Sequence, residues 1–142
     1  MIIWINRTLA LAIHDRQLSE HGGGNGVRDE GLLDSALARP QQLYAYGNPP
    51  PDLADLAASL AFGLVRNHPF VDGNKRTAHV CYYVFLALND AHLSAGLEEM
   101  YLRILSLAEG SLDETEFTDW LRSRIVMKPT GKVQEKSARY SR

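Results

Sequence analysis

Two long apolar segments joined by one short polar connector constrain this chain more than any other feature. In the first, opened by Asp52, Leu53, Leu56, Ala57, Leu60, Ala61 and Leu64 recur at the spacing of one helix face. The second, from about Asn74 to Asn89, is apolar on nearly every side (Ala78, Val80, Cys81, Tyr82, Val84, Phe85, Leu86, Leu88), which predicts the central and most buried helix. Pro69 stops the first helix and Gly73-Asn74 turns the chain into the second. A pair of core helices bracketing a turn predicts a mainly α domain.

The rest of the chain agrees with that class. Residues 2–5 suit a short strand, and Thr8 to about Glu20 suits a helix with Leu9, Ala12 and Ile13 on one side, ended by Gly22-Gly23-Gly24. Asp29 can cap a helix carrying Leu32, Leu33, Ala36 and Leu37, which Pro40 is expected to close. The following QQLYAYGNPPP predicts a surface loop or small hairpin. Leu97 to Ala108 reads as helical, and Asp113-x-x-Glu116 resembles a capping box before a last helix with Phe117, Trp120, Leu121 and Ile125.

At 142 residues, with 45% hydrophobic and 23% charged residues, the chain has the size and composition of one globular domain. Its formal charge of -2 supplies no global positive field, so direct DNA binding and adhesion to an anionic membrane are not expected of the chain alone. The longest later apolar stretch, Val80 to Leu88, falls far short of the roughly 20 residues that span a bilayer, and the apolar start lacks the basic segment of a signal peptide. The expectation is a soluble cytoplasmic protein. Residues 1–127 are read as the domain; 128–142 (KPTGKVQEKSARYSR) are basic, broken by Pro129 and Gly131, and read as a disordered tail.

The connector carries the chemistry. HPFVDGNKRTA, residues 68–78, places an imidazole, a carboxylate, a glycine, an amide and two cations within nine positions. Phe70 and Val71 can anchor it in the core. The first N–H groups of the helix that follows form a local anion site, and Lys75 and Arg76 add positive charge where the helix dipole disfavours it unless an anion binds. Asp72 supplies the hard oxygen that Mg²⁺ prefers, and His68 can act as general base for an incoming hydroxyl. These parts specify transfer of a phosphorus group from a nucleotide to an acceptor, by positioning and charge neutralisation.

The string His-Pro-Phe-x-Asp-Gly-Asn-Lys-Arg at 68–76 resembles the signature of the Fic/Doc superfamily. The segments HGGGNGVRDEGLLDSALARPQ at 21–41 and SLAEGSLDETEFTDWL at 106–121 resemble its death-on-curing (Doc) branch, so the likeness spans about residues 1–125. It implies a Fic-like helical bundle with a short β-hairpin flap, for which the Tyr44 to Pro51 segment, with Tyr44 and Tyr46, is the candidate target-binding piece. It implies that His68 deprotonates the target hydroxyl, Phe70 holds the loop, Asp72 binds Mg²⁺, Gly73 and Asn74 form an anion hole, and Arg76 contacts phosphate of the co-substrate ATP. Lys75 matches Doc toxins, which transfer the γ-phosphoryl, whereas Pro69 and Gly73 match AMP-transferring members, so both group transfers stay open. The resemblance further implies elongation factor Tu as the first acceptor to try. No inhibitory Ser/Thr-x-x-x-Glu-Gly/Asn string is present, SLAEG having one residue too few, which implies restraint by a separate Phd-like antitoxin.

Other candidates have plainer readings. His14, His21, His79 and His92 form no metal-ligand spacing, and His21 and Arg28 are expected to be structural or surface residues. GGGNG lacks the Lys-Ser/Thr of a phosphate loop and reads as a flexible turn. Tyr82, Tyr83 and Phe85 are read as core, as is the lone Cys81, and Phe117 and Trp120 as core or a partner surface. Glu98, Glu99, Asp113, Glu114 and Glu116 are read as solvated helix faces and caps.

Overall fold

The expected helices form, and the starts of four of them follow local chemistry. The structure, a computed structural model, describes residues 1–129, so most of the expected 128–142 tail lies outside the described residues. In chain order the elements are α1 (Arg7–His21), α2 (Glu30–Tyr46), α3 (Leu53–Asn67), α4 (Asn74–Leu88), β1 (Ala91–Leu93), α5 (Leu97–Glu109), α6 (Glu114–Arg124) and β2 (Ile125–Met127). Asp52 with Asp55, and Asp113 with Glu116, each close a reciprocal capping box on the first turn of α3 and α6. Asn6 and Asp29 cap α1 and α2 by accepting the N–H of Leu9 and Leu32. No described helix is long and apolar enough to cross a membrane.

The centre of the domain is α3, not α4 as the apolar count predicted. Nine of its fifteen residues are buried, against seven of fifteen in α4, and α2, α4, α5 and α6 all pack on it. Small residues make this crowding feasible: a Cβ at Gly63 would stand 3.3 Å from the Ala36 Cα, so the two helices meet there almost backbone to backbone. α4 carries more apolar residues than it buries. Tyr82 and Phe85 are fully internal, but Tyr83, read above as core, is 42% exposed and Leu88 37%.

Three local expectations are corrected. Pro40 does not end α2; it lies inside the helix and is buried, and packing against α3 overrides the local penalty of about 3 kcal/mol for an interior proline. The helix therefore runs on through Tyr46, so Tyr44 and Tyr46 are helical rather than parts of a loop or hairpin, with only residues 47–52 as connector. Residues 2–5 pair with no strand among the described residues. Instead the Asn89 amide accepts the Ile3 N–H (2.8 Å) and donates to the Ile3 carbonyl (2.9 Å), doing for this segment what a neighbouring strand would.

The two-stranded sheet lies elsewhere: β1 and β2 pair antiparallel with Ala91 opposite Met127 and Leu93 opposite Ile125. Three-residue strands so far apart in sequence leave no readable alternation. Not every acidic residue is a free solvated face, either. Glu114 takes a bidentate pair of bonds from Arg39 (2.7 and 2.8 Å), tying α6 to α2, and Glu99 accepts from Arg124 and the Trp120 indole. At the foot of α3, Arg122 holds the Asp52 carboxyl well below the usual carboxylate range.

Candidate active site

The connector between α3 and α4 is shaped residue by residue. α3 ends at His68, whose backbone is left-handed (φ 52°, ψ 55°), and Pro69 bars another helical turn. Phe70 then forms an isolated antiparallel bridge with Val27, and the Val71 N–H donates to the Gly26 carbonyl at 3.1 Å. The buried Asn74 amide closes the turn on itself, accepting the Phe70 N–H (2.9 Å) and donating to the Phe70 carbonyl (3.0 Å). Its side chain is therefore committed to loop closure, so only its backbone N–H is left to meet an anion.

The Phe70 ring is wholly buried and stacks on His14, with ring centroids 3.8 Å apart. His14 also donates from Nε2 to the Asp72 carbonyl at 2.8 Å. One α1 histidine thus holds both an apolar anchor and the backbone at Asp72. Nothing local in the sequence marks His14 for this task, because the two partners are 58 residues apart.

Around the turn lies a cavity of about 370 Å³. It is lined by His68, Asp72, Gly73, Asn74, Lys75 and Arg76 together with Gln17, Leu18, His21, Gly22, Gly23 and Tyr101. Six of the expected site residues are therefore brought together. Phe70 stands behind them, and neither Tyr44 nor Tyr46 lines this cavity: Tyr44 meets Trp4 edge-on (centroids 5.6 Å apart) and Tyr46 borders a separate one with Arg39, Gln42 and Leu43.

The cavity's electrostatics come from three pieces. The Asp72 carboxylate is exposed and oriented by the Gly73 N–H (3.0 Å) and the Gly24 N–H (3.3 Å). A Cβ at Gly23 (φ +120°) would stand 3.0 Å from Asp72 Oδ2, so the glycine cluster is fitted against this carboxylate and is more than a flexible turn. Gly73 (φ +76°) provides no side-chain cap, which leaves the first-turn N–H groups of α4 open. The Lys75 side chain is exposed, and the Arg76 guanidinium lies 4.7 Å above the Tyr101 ring, so a π face holds it without neutralising it. Among the described residues neither cation has a carboxylate partner within salt-bridge distance.

Behind the cavity, burial and then the Arg76 charge push the His79 pKa below its ordinary value, and burial pushes the Cys81 thiol up to about 12. Neither group lines the cavity. The arrangement presents an exposed imidazole, one oriented carboxylate, an open helix N-terminus and two unneutralised cations to one space, which is the chemistry needed to hold a polyphosphate beside a base.

Comparison with known proteins identifies the family of the chain. A model of the Fic/DOC family matches residues 4–86. The chain is 48% identical over 77 residues to "Toxin Doc" of Mycolicibacterium smegmatis (strain ATCC 700084 / mc(2)155), an alignment covering 54% of this chain and 59% of that protein. It is 31% identical over 112 residues to "Protein kinase doc" of Escherichia phage P1, covering 79% of this chain and 87% of the relative.

Proposed function

The chain belongs to the Fic/DOC family, and from that premise we propose that it is a Doc-type toxin. It transfers the γ-phosphoryl group of ATP to a hydroxyl side chain of a target protein, blocks translation in the cytoplasm, and is neutralised by a separate Phd-like antitoxin. The observation that carries this reading is the single cavity shared by His68, Asp72, Lys75, Arg76 and the open start of α4.

Each residue has a definite task. His68, exposed at the end of α3, accepts the proton of the incoming hydroxyl. The N–H groups that open α4, with Lys75 and Arg76, bind the phosphates by charge and hydrogen bonds. Asp72 fits Mg²⁺: its carboxylate is pre-oriented yet exposed, and the missing Cβ at Gly23 leaves it room. Held by Asp72, Mg²⁺ would supply charge neutralisation to the phosphates of a nucleotide. Gly23→Ala should consequently displace the carboxylate and raise the Mg²⁺ concentration for half-maximal activity by about 10-fold or more, read from a Mg²⁺ titration; an unchanged titration would show that the glycine is incidental.

The γ-transfer reading is supported by Lys75 in the cavity wall and by the printed name of the phage relative. Elongation factor Tu is the acceptor to try first. For the antitoxin, support comes from the outer side of α4, where Val80, Tyr83, Val84 and Leu88 form a partly exposed apolar stripe of helical spacing that suits an amphipathic partner.

The decisive experiment incubates the purified protein, Mg²⁺ and elongation factor Tu with ATP labelled at either the α or the γ phosphate. Label from the γ position alone supports the proposal. Label from the α position replaces it with adenylyl transfer, for which Pro69 and Gly73 are then the better guides. No label from either position, repeated with a whole lysate as acceptor, overturns the transferase.

A further inference from the structure

The chain reaches His68 through a helix end that should be poorly held. The last carbonyls of α3 have no helical donors ahead of them, and Pro69 contributes no N–H. Yet three consecutive carbonyl oxygens here all accept from one residue of a different part of the chain, the third of them shared with the Asp29 N–H (3.1 Å). Arg28 donates from its guanidinium to the Asn67 carbonyl (2.8 Å) and from Nε to the His68 carbonyl (2.7 Å). Its backbone N–H donates to the Pro69 carbonyl (2.7 Å).

The placement of these bonds matters more than their number. The Asn67 carbonyl belongs to the peptide unit before the His68 Cα, and its orientation sets φ of His68. The His68 carbonyl belongs to the unit after it and sets ψ. Binding both fixes the two torsions together, and with them the direction of the Cα–Cβ bond that aims the imidazole. His68 needs this, because its backbone is left-handed, a region that a residue with a Cβ leaves unless its surroundings impose it.

Arg28 is itself well anchored. The next residue, Asp29, caps α2, and the preceding Val27 bridges Phe70. Its planar fork of donors spans two carbonyls in fixed geometry, and its charge sits at the C-terminal end of the α3 dipole. Among the described residues it has no carboxylate partner within salt-bridge distance, so the carbonyls are what it serves.

We infer that Arg28 is a positioning residue for the transfer reaction: it holds His68 in its left-handed conformation and so keeps the base aimed at the acceptor hydroxyl. The inference rests on the reading of His68 as general base given above. Arg28 lies outside the residues lining the cavity, so it should act on turnover and leave nucleotide binding alone.

The test compares wild type with Arg28→Lys and Arg28→Ala in the labelled-ATP assay on elongation factor Tu, with melting temperatures and a crystal structure of Arg28→Ala. Arg28→Ala should lower kcat by about 10²-fold, the loss expected for an ångström-scale misplacement of a reacting group, with KM for ATP within about twofold. Arg28→Lys should fall between the two, and added guanidinium ion should restore part of the Arg28→Ala rate. In its crystal structure His68 should have left the left-handed region. A wild-type kcat in Arg28→Ala overturns the inference, and so does a loss confined to KM or one that guanidinium does not relieve. If the wild type transfers no label, the transferase reading falls by itself, and the crystal structure still decides the positioning: His68 unmoved without the guanidinium overturns it.

Discussion

His68→Ala is expected to lower the rate of group transfer by about 10²- to 10⁴-fold, the range a positioned general base contributes, while leaving the fold and nucleotide affinity nearly intact. The split follows from where the side chain stands. The ring is exposed, lines the cavity and makes no hydrogen bond within the described residues, so its removal leaves no buried partner unsatisfied. Phosphate binding is assigned to the opposite end of the turn, at the start of α4 with Lys75 and Arg76. Kinetics at saturating ATP and direct binding of Mg²⁺·ATP to both proteins separate the two effects. A variant that transfers at the wild-type rate would remove His68 from the mechanism, and one that binds ATP tenfold more weakly would move it to the nucleotide. If the toxin reading is right, expression of the wild type also arrests growth and expression of His68→Ala does not.

Phe70→Ala should have the largest effect on stability, about 3–5 kcal/mol. The ring has no exposed surface, stacks on His14, and sits at the residue whose N–H and carbonyl both bind the Asn74 amide. Truncation opens a cavity beneath the connector and leaves His14, which also holds the Asp72 carbonyl, without its packing partner. Phe70→Leu should cost less, because most of the volume is kept. Urea unfolding of the three proteins measures both values. A loss below about 1 kcal/mol for the alanine variant, the scale of a minor core change, would mean that the Asn74 amide and the Val27 bridge hold the turn without the ring. Activity should fall with stability here, in contrast to His68→Ala, since the anchor and the site share one loop.

The two capping boxes show which parts of the fold could be read from the chain. Asp52 with Asp55 and Asp113 with Glu116 satisfy each other within a single helical turn, so residues a few positions apart carry all the information. The same locality made the apolar face of α3 legible. Pro40 shows the limit of local rules: its penalty is real, but the buried contact of α2 with α3 outweighs it, and so the helix continues through Tyr44 and Tyr46 where a loop was expected. Burial was likewise misjudged for α4, because an all-round apolar helix looks internal until it is known which sides have neighbours, and Tyr83 has few.

The candidate site divides along the same line. The sequence by itself determined the string from His68 to Arg76, the glycine that opens α4 without a cap, and the family those residues indicate. All of that is chemistry carried by neighbours in the chain. Only the tertiary structure decided that His14 supports Phe70 and Asp72, that Gly23 and Gly24 meet the Asp72 carboxylate, that Tyr101 holds Arg76, and that Arg28 binds the carbonyls on either side of His68. The physical reason is separation: the His14, Gly24 and Arg28 contacts join residues 39 to 58 positions apart, and such pairs meet only after the core has set the positions of α1, α2 and α3.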